Sequence, residues 1–290
     1  MSNAIRTTML LAALSALLLV VGEVLGGAGG LTIALVLALG MNAISYWYSD
    51  KIALSMAGAH EVSLDQAPQL HEVVADVASK AGLPKPRVYV VETASPNAFA
   101  TGRDPKHAAV AVTRGILNLL NRDELEGVLA HEMAHVRNRD TLTATVAATI
   151  ASAIVYLAQM GQWALLFGGF GGNRRDNRSG GLGGVEALLM IFLAPLAATL
   201  IQLAISRSRE YTADSTGARI TGNPLALADA LESLERGIAH RPLNNVPAAT
   251  APLFIMNPFS AGMMQKLFSD HPPTAERVAR LRKLAFQQIR

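Results

Sequence analysis

The sequence predicts an α+β architecture in which four transmembrane helices accompany a mainly helical domain carrying a small β-sheet. Three observations lead there. Apolar stretches near the length of a bilayer crossing recur in two pairs. Between and after the pairs lie polar segments of mixed helical and β-branched character. The composition is unusually apolar, with 51% hydrophobic and only 16% charged residues and a mean hydropathy of +0.30, where about a quarter of residues are charged in soluble domains.

The first apolar stretch covers about residues 9–25, with Glu23 near its far end. The second covers about 31–48 and finishes in Tyr46, Trp47 and Tyr48, an aromatic belt suited to headgroup level. Only the glycine-rich 26–30 separates them, so a tight helical hairpin is expected. A cleaved signal peptide is the alternative for the first stretch; its cleavage-site pattern is weak and a second span follows at once. The second pair spans 141–170 and about 185–205, the latter with Glu186 at its start and Pro195 inside as an expected kink. Residues 171–184, with Arg174, Arg175 and Arg178, form a short hydrophilic turn.

This divides the chain into a hairpin at 1–49, a polar part at 50–140, a second hairpin at 141–205 and a second polar part at 206–290. Two crossings separate the polar parts, which therefore share one side of the membrane and can fold together. Arg6, Lys51, Arg137, Arg139, Arg207 and Arg209 cluster on that side, which marks it as cytoplasmic. In the first part, 65–81 reads as an amphipathic helix, 87–91 and 108–113 as strands, and 97–101 as a further strand or edge. Asn121 then caps a helix through Val136, with Glu124 as its capping-box partner. In the second part, helices are expected at 206–220, from Asn223-Pro224 to about 236, and at 274–288, with a proline-containing loop at 240–256.

The net charge of +3 and pI near 9.3 come without a basic block interleaved with aromatics, so nucleic acid is not an expected partner. Cysteine is absent, which excludes disulfides, thiolate ligands and a cysteine nucleophile. Any metal must be held by imidazole and carboxylate.

On the helix opened by Asn121 stands His131-Glu132-Met133-Ala134-His135. Residues four apart share a helix face, so both imidazoles can converge on one zinc ion. Glu132 projects beside that face and can act as general base for water at the open metal position. Glu210 is the candidate third ligand, because it starts a helix just after the fourth span as the first motif ends one just before the third. The alternative for Glu210 is a surface ion pair with Arg207 or Arg209. Asp214, one turn beyond, is placed to accept from a ligand imidazole and fix its tautomer. His60, His71, His107 and His240 have no partner at ligand spacing.

The string His-Glu-Met-Ala-His-Val-Arg-Asn-Arg-Asp, the later Arg-Glu-Tyr-Thr-Ala-Asp, the earlier Ser-Pro-Asn-Ala-Phe-Ala-Thr-Gly and the late His-Pro-Pro-Thr-Ala-Glu-Arg together resemble the HtpX family. These are bacterial inner-membrane zinc proteases of envelope quality control, related to the CAAX prenyl endopeptidases. The resemblance implies a gluzincin-type protease domain facing the cytoplasm, with one zinc per chain on His131, His135 and Glu210 and with Glu132 as base. It further implies that Asp214 closes the Glu-x-x-x-Asp motif and that Asn97 and Ala98 lie on an edge strand along which substrate backbone runs. His271 matches a late histidine that stabilises the oxyanion in the family; here it can equally cap the last helix. The implied partners are membrane-protein and unfolded polypeptide substrates and membrane lipids.

Cleavage inside the bilayer is disfavoured, because Arg122, Asp123, Glu124 and Glu126 on the motif's own helix are costly in hydrocarbon. A non-catalytic scaffold would have lost Glu132 or a ligand. A transporter would need polar residues within its spans.

Overall fold

The computed structural model describes residues 3–166, 207–243, 248–258 and 272–288. The first helix, α1 (Asn3–Trp47), is folded back on itself at Gly27, whose φ of 55° and ψ of −144° are open to glycine but costly for residues with a Cβ. Gly22 and Gly30 face each other across the fold so closely that a Cβ on Gly30 would lie 2.1 Å from the Gly22 carbonyl oxygen. Further along, Asn42 Nδ2 donates to Ser15 Oγ at 2.8 Å between the two arms. The two arms therefore lie against each other, turned at the glycines.

After α2 (Ser49–Met56), β1 (Ala59–Glu61) leads into α3 (Pro68–Ala81), with proline in its first turn and Gly82 as a left-handed C-cap. Strands β2 (Arg87–Val91), β3 (Ala98–Thr101) and β4 (Ala109–Thr113) complete a four-stranded mixed sheet in the order β1-β2-β4-β3. β2 and β4 are parallel and the outer pairings antiparallel. Thr113 closes β4 and opens α4 (Arg114–Leu119), its hydroxyl accepting from the Ile116 amide.

The helix that carries the histidine motif, α5 (Arg122–Asn138), starts with the expected capping box: Asn121 Oδ1 accepts from the Glu124 amide and Glu124 Oε2 from the Asn121 amide. It ends at Arg139, whose φ of 57° turns the chain into α6 (Asp140–Leu166). The second polar part supplies α7 (Arg207–Thr221), α8 (Pro224–His240) and α9 (Thr274–Gln288). The expected loop at 240–256 holds a 3-10 turn at Ala248–Leu253.

The main core joins both polar parts. Val74, Val77, Val90, Val110, Val128 and Leu129 from the first pack with Leu227, Leu231, Leu234 and Leu281 from the second, all essentially fully buried. At about 1.5–3 kcal/mol for each large apolar side chain buried, this cluster is what keeps α5 central. A separate apolar cluster seats the first arm of α1 on α6, through Leu10 and Leu14 against Val146, Ile150 and Ile154.

Among the described residues, 27–47 is the stretch long and apolar enough to cross a membrane, with 11% of its most apolar window buried; 5–20 is a shorter apolar helix. Ile33, Val36, Leu37, Leu39 and Ile44 are each more than half exposed. So much contiguous exposed apolar surface sets this arm apart from a core helix. Of the four expected spans, the third begins within α6, and the fourth lies outside the described residues.

Candidate metal centre

α7 lies against α5 at unusually close range, because Gly217 removes the side chain at the crossing: a Cβ there would meet the His131 amide nitrogen at 2.8 Å. That approach places Glu210 and Asp214, both buried on α7, beside His131 and His135. His131 Nε2 and His135 Nε2 are 3.2 Å apart, His131 Nε2 is 3.7 Å from Glu210 Oε2, and His135 Nε2 is 3.5 Å from Glu210 Oε1. Ligand atoms of all three residues fall within 4.8 Å of one another.

Both imidazoles are oriented from behind. His131 Nδ1 is 2.9 Å from Asp214 Oδ1, and His135 Nδ1 is 3.1 Å from Asp140 Oδ2. A carboxylate can only accept, so each Nδ1 donates its proton and each Nε2 is left facing its neighbour. Two Nε2 atoms and a carboxylate facing inward at this spacing call for positive charge between them, a proton or a cation. The donor set therefore fits a divalent metal ion.

The surrounding carboxylates likewise call for positive charge. Burial lowers His135, but Glu210, Asp140 and Glu132 outweigh it and hold its pKa up to about 9. Burial pushes His131 down, against the opposing pull of Asp214. Burial alone would raise Asp214, yet the Arg277 guanidinium beside it holds it at about 2.

Glu132 sits one position past His131, almost fully buried, and its Oε2 accepts from the backbone amide of Ala100 on β3 at 2.8 Å. Burial, reinforced by the Glu210 charge, pushes this carboxyl up to about 8. The sheet edge thus meets the candidate ligand cluster through Glu132.

Asn97 and Ala98 lie at that edge, but both are fully buried. The Ala98 carbonyl accepts from the Ile255 amide at 2.9 Å, and Asn97 Nδ2 donates to the Met256 carbonyl at 2.9 Å. In this conformation residues 255–256 take the place along β3 that an extended peptide was expected to occupy. His271 lies outside the described residues.

Two residues of the centre escape the sequence reading. Asp140 stands five residues past His135, beyond the α5 C-cap, where the left-handed Arg139 swings it back under the imidazole. Arg277, on α9, has no exposed surface; it grips Asp214 with two hydrogen bonds at 2.9 and 2.7 Å and donates to the Ile255 carbonyl at 3.1 Å. For Arg277 the available signal is its place in the late His-Pro-Pro-Thr-Ala-Glu-Arg string.

A mainly helical fold with a small mixed sheet, a His-Glu-x-x-His helix and a glutamate brought from a second helix define a metalloprotease of the gluzincin type. The chain belongs to Peptidase family M48, whose model matches residues 64–285. It is 54% identical over 97% of its length to "Protease HtpX homolog" of Desulfatibacillum aliphaticivorans, covering 89% of that relative. Identity to the same-named proteins of Pyrococcus furiosus and Pyrococcus abyssi is 54% and 56%, covering 98% of this chain and 96% of each. The fold resembles that of Ste24p from S. mikatae, with a TM-score of 0.51 at 18% identity over 96% of this chain; the chain spans 65% of that larger protein. The protein is thus a membrane-associated metalloprotease acting on polypeptides.

Proposed function

We propose that this chain is a zinc-dependent endopeptidase of the cell's inner, or plasma, membrane that degrades misfolded or damaged membrane proteins. The observation that carries the zinc assignment is the convergence of His131, His135 and Glu210, one ligand atom from each lying within 4.8 Å of the others. Ligands about 2.1 Å from a tetrahedral zinc are separated by about 3.4 Å, and the 3.2 Å between the two imidazole nitrogens has the size of one edge of that tetrahedron. A bound zinc ion supplies Lewis acidity, polarising the scissile carbonyl and acidifying water.

The remaining work falls to the protein. Glu132, fixed by the Ala100 amide, takes a proton from the attacking water and returns it to the leaving amine. Asp214 and Asp140 hold the imidazoles in one tautomer. Substrate backbone pairs along β3 at Asn97 and Ala98, which requires residues 255–256 to yield. His271 is assigned to the oxyanion. Lipid contacts belong to four spans at about 9–25, 31–48, 141–170 and 185–205, with the polar parts 50–140 and 206–290 joined on the cytoplasmic side. The exposed apolar arm of α1 and the mixed core of the two polar parts support that arrangement.

The ligand set is tested by metal analysis of purified protein. Zinc is expected near one per chain, and His131→Ala, His135→Ala and Glu210→Ala are each expected to lose most of it, since each removes one of the three candidate ligands found among the described residues. Full zinc and activity in Glu210→Ala would assign the third position to another carboxylate.

Topology is tested through the absence of cysteine. A thiol introduced at Ser179 is expected to react with an impermeant reagent outside intact cells, and one at Ser269 is not. The opposite pattern would put the protease domain on the outer face.

A further inference from the structure

The beginning of α1 reaches the metal centre. The side-chain amide nitrogen of Asn3 donates to Asp140 Oδ1 at 2.6 Å and to the Asn138 carbonyl at 3.0 Å. Its amide oxygen accepts from Arg209 Nη1 at 3.1 Å, and the same Arg209 nitrogen lies 3.3 Å from Asp140 Oδ1. The other oxygen of Asp140 holds His135 Nδ1. A single side chain on the first helix therefore touches the C-terminal end of α5, the start of α6 and the arginine next to Glu210.

The contact is anchored in the fold. One turn along, Thr7 and Thr143 share a hydrogen bond at 3.0 Å between buried hydroxyls, and Leu10 and Leu14 follow on α6. The arm is seated by these groups whether or not Asn3 is present, so Asn3 is free to act on orientation. Asp140 can grip His135 in one geometry only if its other oxygen is fixed. Asn3 supplies the shorter of the two bonds that fix it, at 2.6 Å against 3.3 Å from Arg209.

We propose that Asn3 is a positioning residue for the metal centre, coupling the docking of the first membrane helix to the orientation of His135 through Asp140. A chain whose first arm is undocked would then hold its metal loosely, and tight loading would follow membrane insertion. This rests on His135 being a ligand, as proposed above.

The test uses full-length protein purified in detergent, loaded with zinc or cobalt. Asn3→Ala is expected to speed zinc release to a chelator about tenfold, the lower end for groups that orient ligands, and to alter the visible absorption of the cobalt form. Asn3→Asp is expected to exceed that, because it sets a second carboxylate against Asp140. Asn3→Ser, which keeps a short donor, is expected to fall between wild type and Asn3→Ala, and it serves if the alanine variant does not fold. Thr7→Ala removes one hydrogen bond from an arm that Leu10 and Leu14 keep docked, does not touch Asp140, and is expected to leave both readouts unchanged. Wild-type release and cobalt spectra in the Asn3 variants would overturn the proposal, as would an equal change in Thr7→Ala. His135→Ala, run in parallel, separates the two levels: if it retains metal, the ligand assignment fails first.

Discussion

Glu132→Gln is expected to lower peptide cleavage by about a hundredfold to ten-thousandfold while leaving zinc content and folding nearly unchanged. The side chain keeps its length, and its amide oxygen can still accept from Ala100, the contact made by Glu132 Oε2 at 2.8 Å. What is lost is the ability to take a proton. Because Glu132 is buried at 3% exposure beside the ligand triangle and is not itself one of its corners, the metal should stay. The measurement is cleavage of an unfolded polypeptide or a model membrane protein by equal amounts of zinc-loaded wild type and variant. The wild type is also expected to nick itself during purification, leaving the variant as the more intact preparation. Wild-type turnover in a fully loaded Glu132→Gln protein would remove Glu132 from the proton transfer. Absence of cleavage by both loaded forms would favour a scaffold.

Local chemistry is what the sequence displays best. The Asn121–Glu124 capping box, the start of α8 at Asn223-Pro224 and the span of α9 are set by neighbours in the chain, and they stand where spacing puts them. The pairing of His131 with His135 follows from helix geometry alone. Bringing Glu210 to them required one global inference, that two crossings return the chain to the same side. The short elements α2, β1 and α4 carry too few residues for a period to emerge. Asp140 depends on a left-handed turn at Arg139, a conformation that an arginine does not advertise. The strand β3 begins at Ala98, within the expected 97–101, but the closure of this edge by Ile255 and Met256 joins residues about 160 apart and leaves no trace in either segment.

Arg277→Ala is the substitution expected to cost the most stability. On an amphipathic helix rich in exposed charge, an arginine reads as a surface residue, yet Arg277 is fully buried with its guanidinium on Asp214. Removing it leaves a carboxylate 3% exposed and without its cation, in a place where burial works against its charge. Breaking a buried ion pair from one side costs about 3–5 kcal/mol. At about 2–4 °C per kcal/mol for a domain of this size, the midpoint of thermal unfolding in detergent should drop by roughly 10 °C. Arg277→Lys should recover only part, because an ammonium cannot make the two parallel bonds. A double variant, Asp214→Leu with Arg277→Met, separates stability from chemistry. With both charges gone, the unfolding midpoint should rise again toward wild type. The His131 imidazole would then have lost the acceptor at its Nδ1, so zinc release should remain fast. If Arg277→Ala unfolds at the wild-type temperature, the guanidinium is not the counter-charge that keeps Asp214 ionised behind His131.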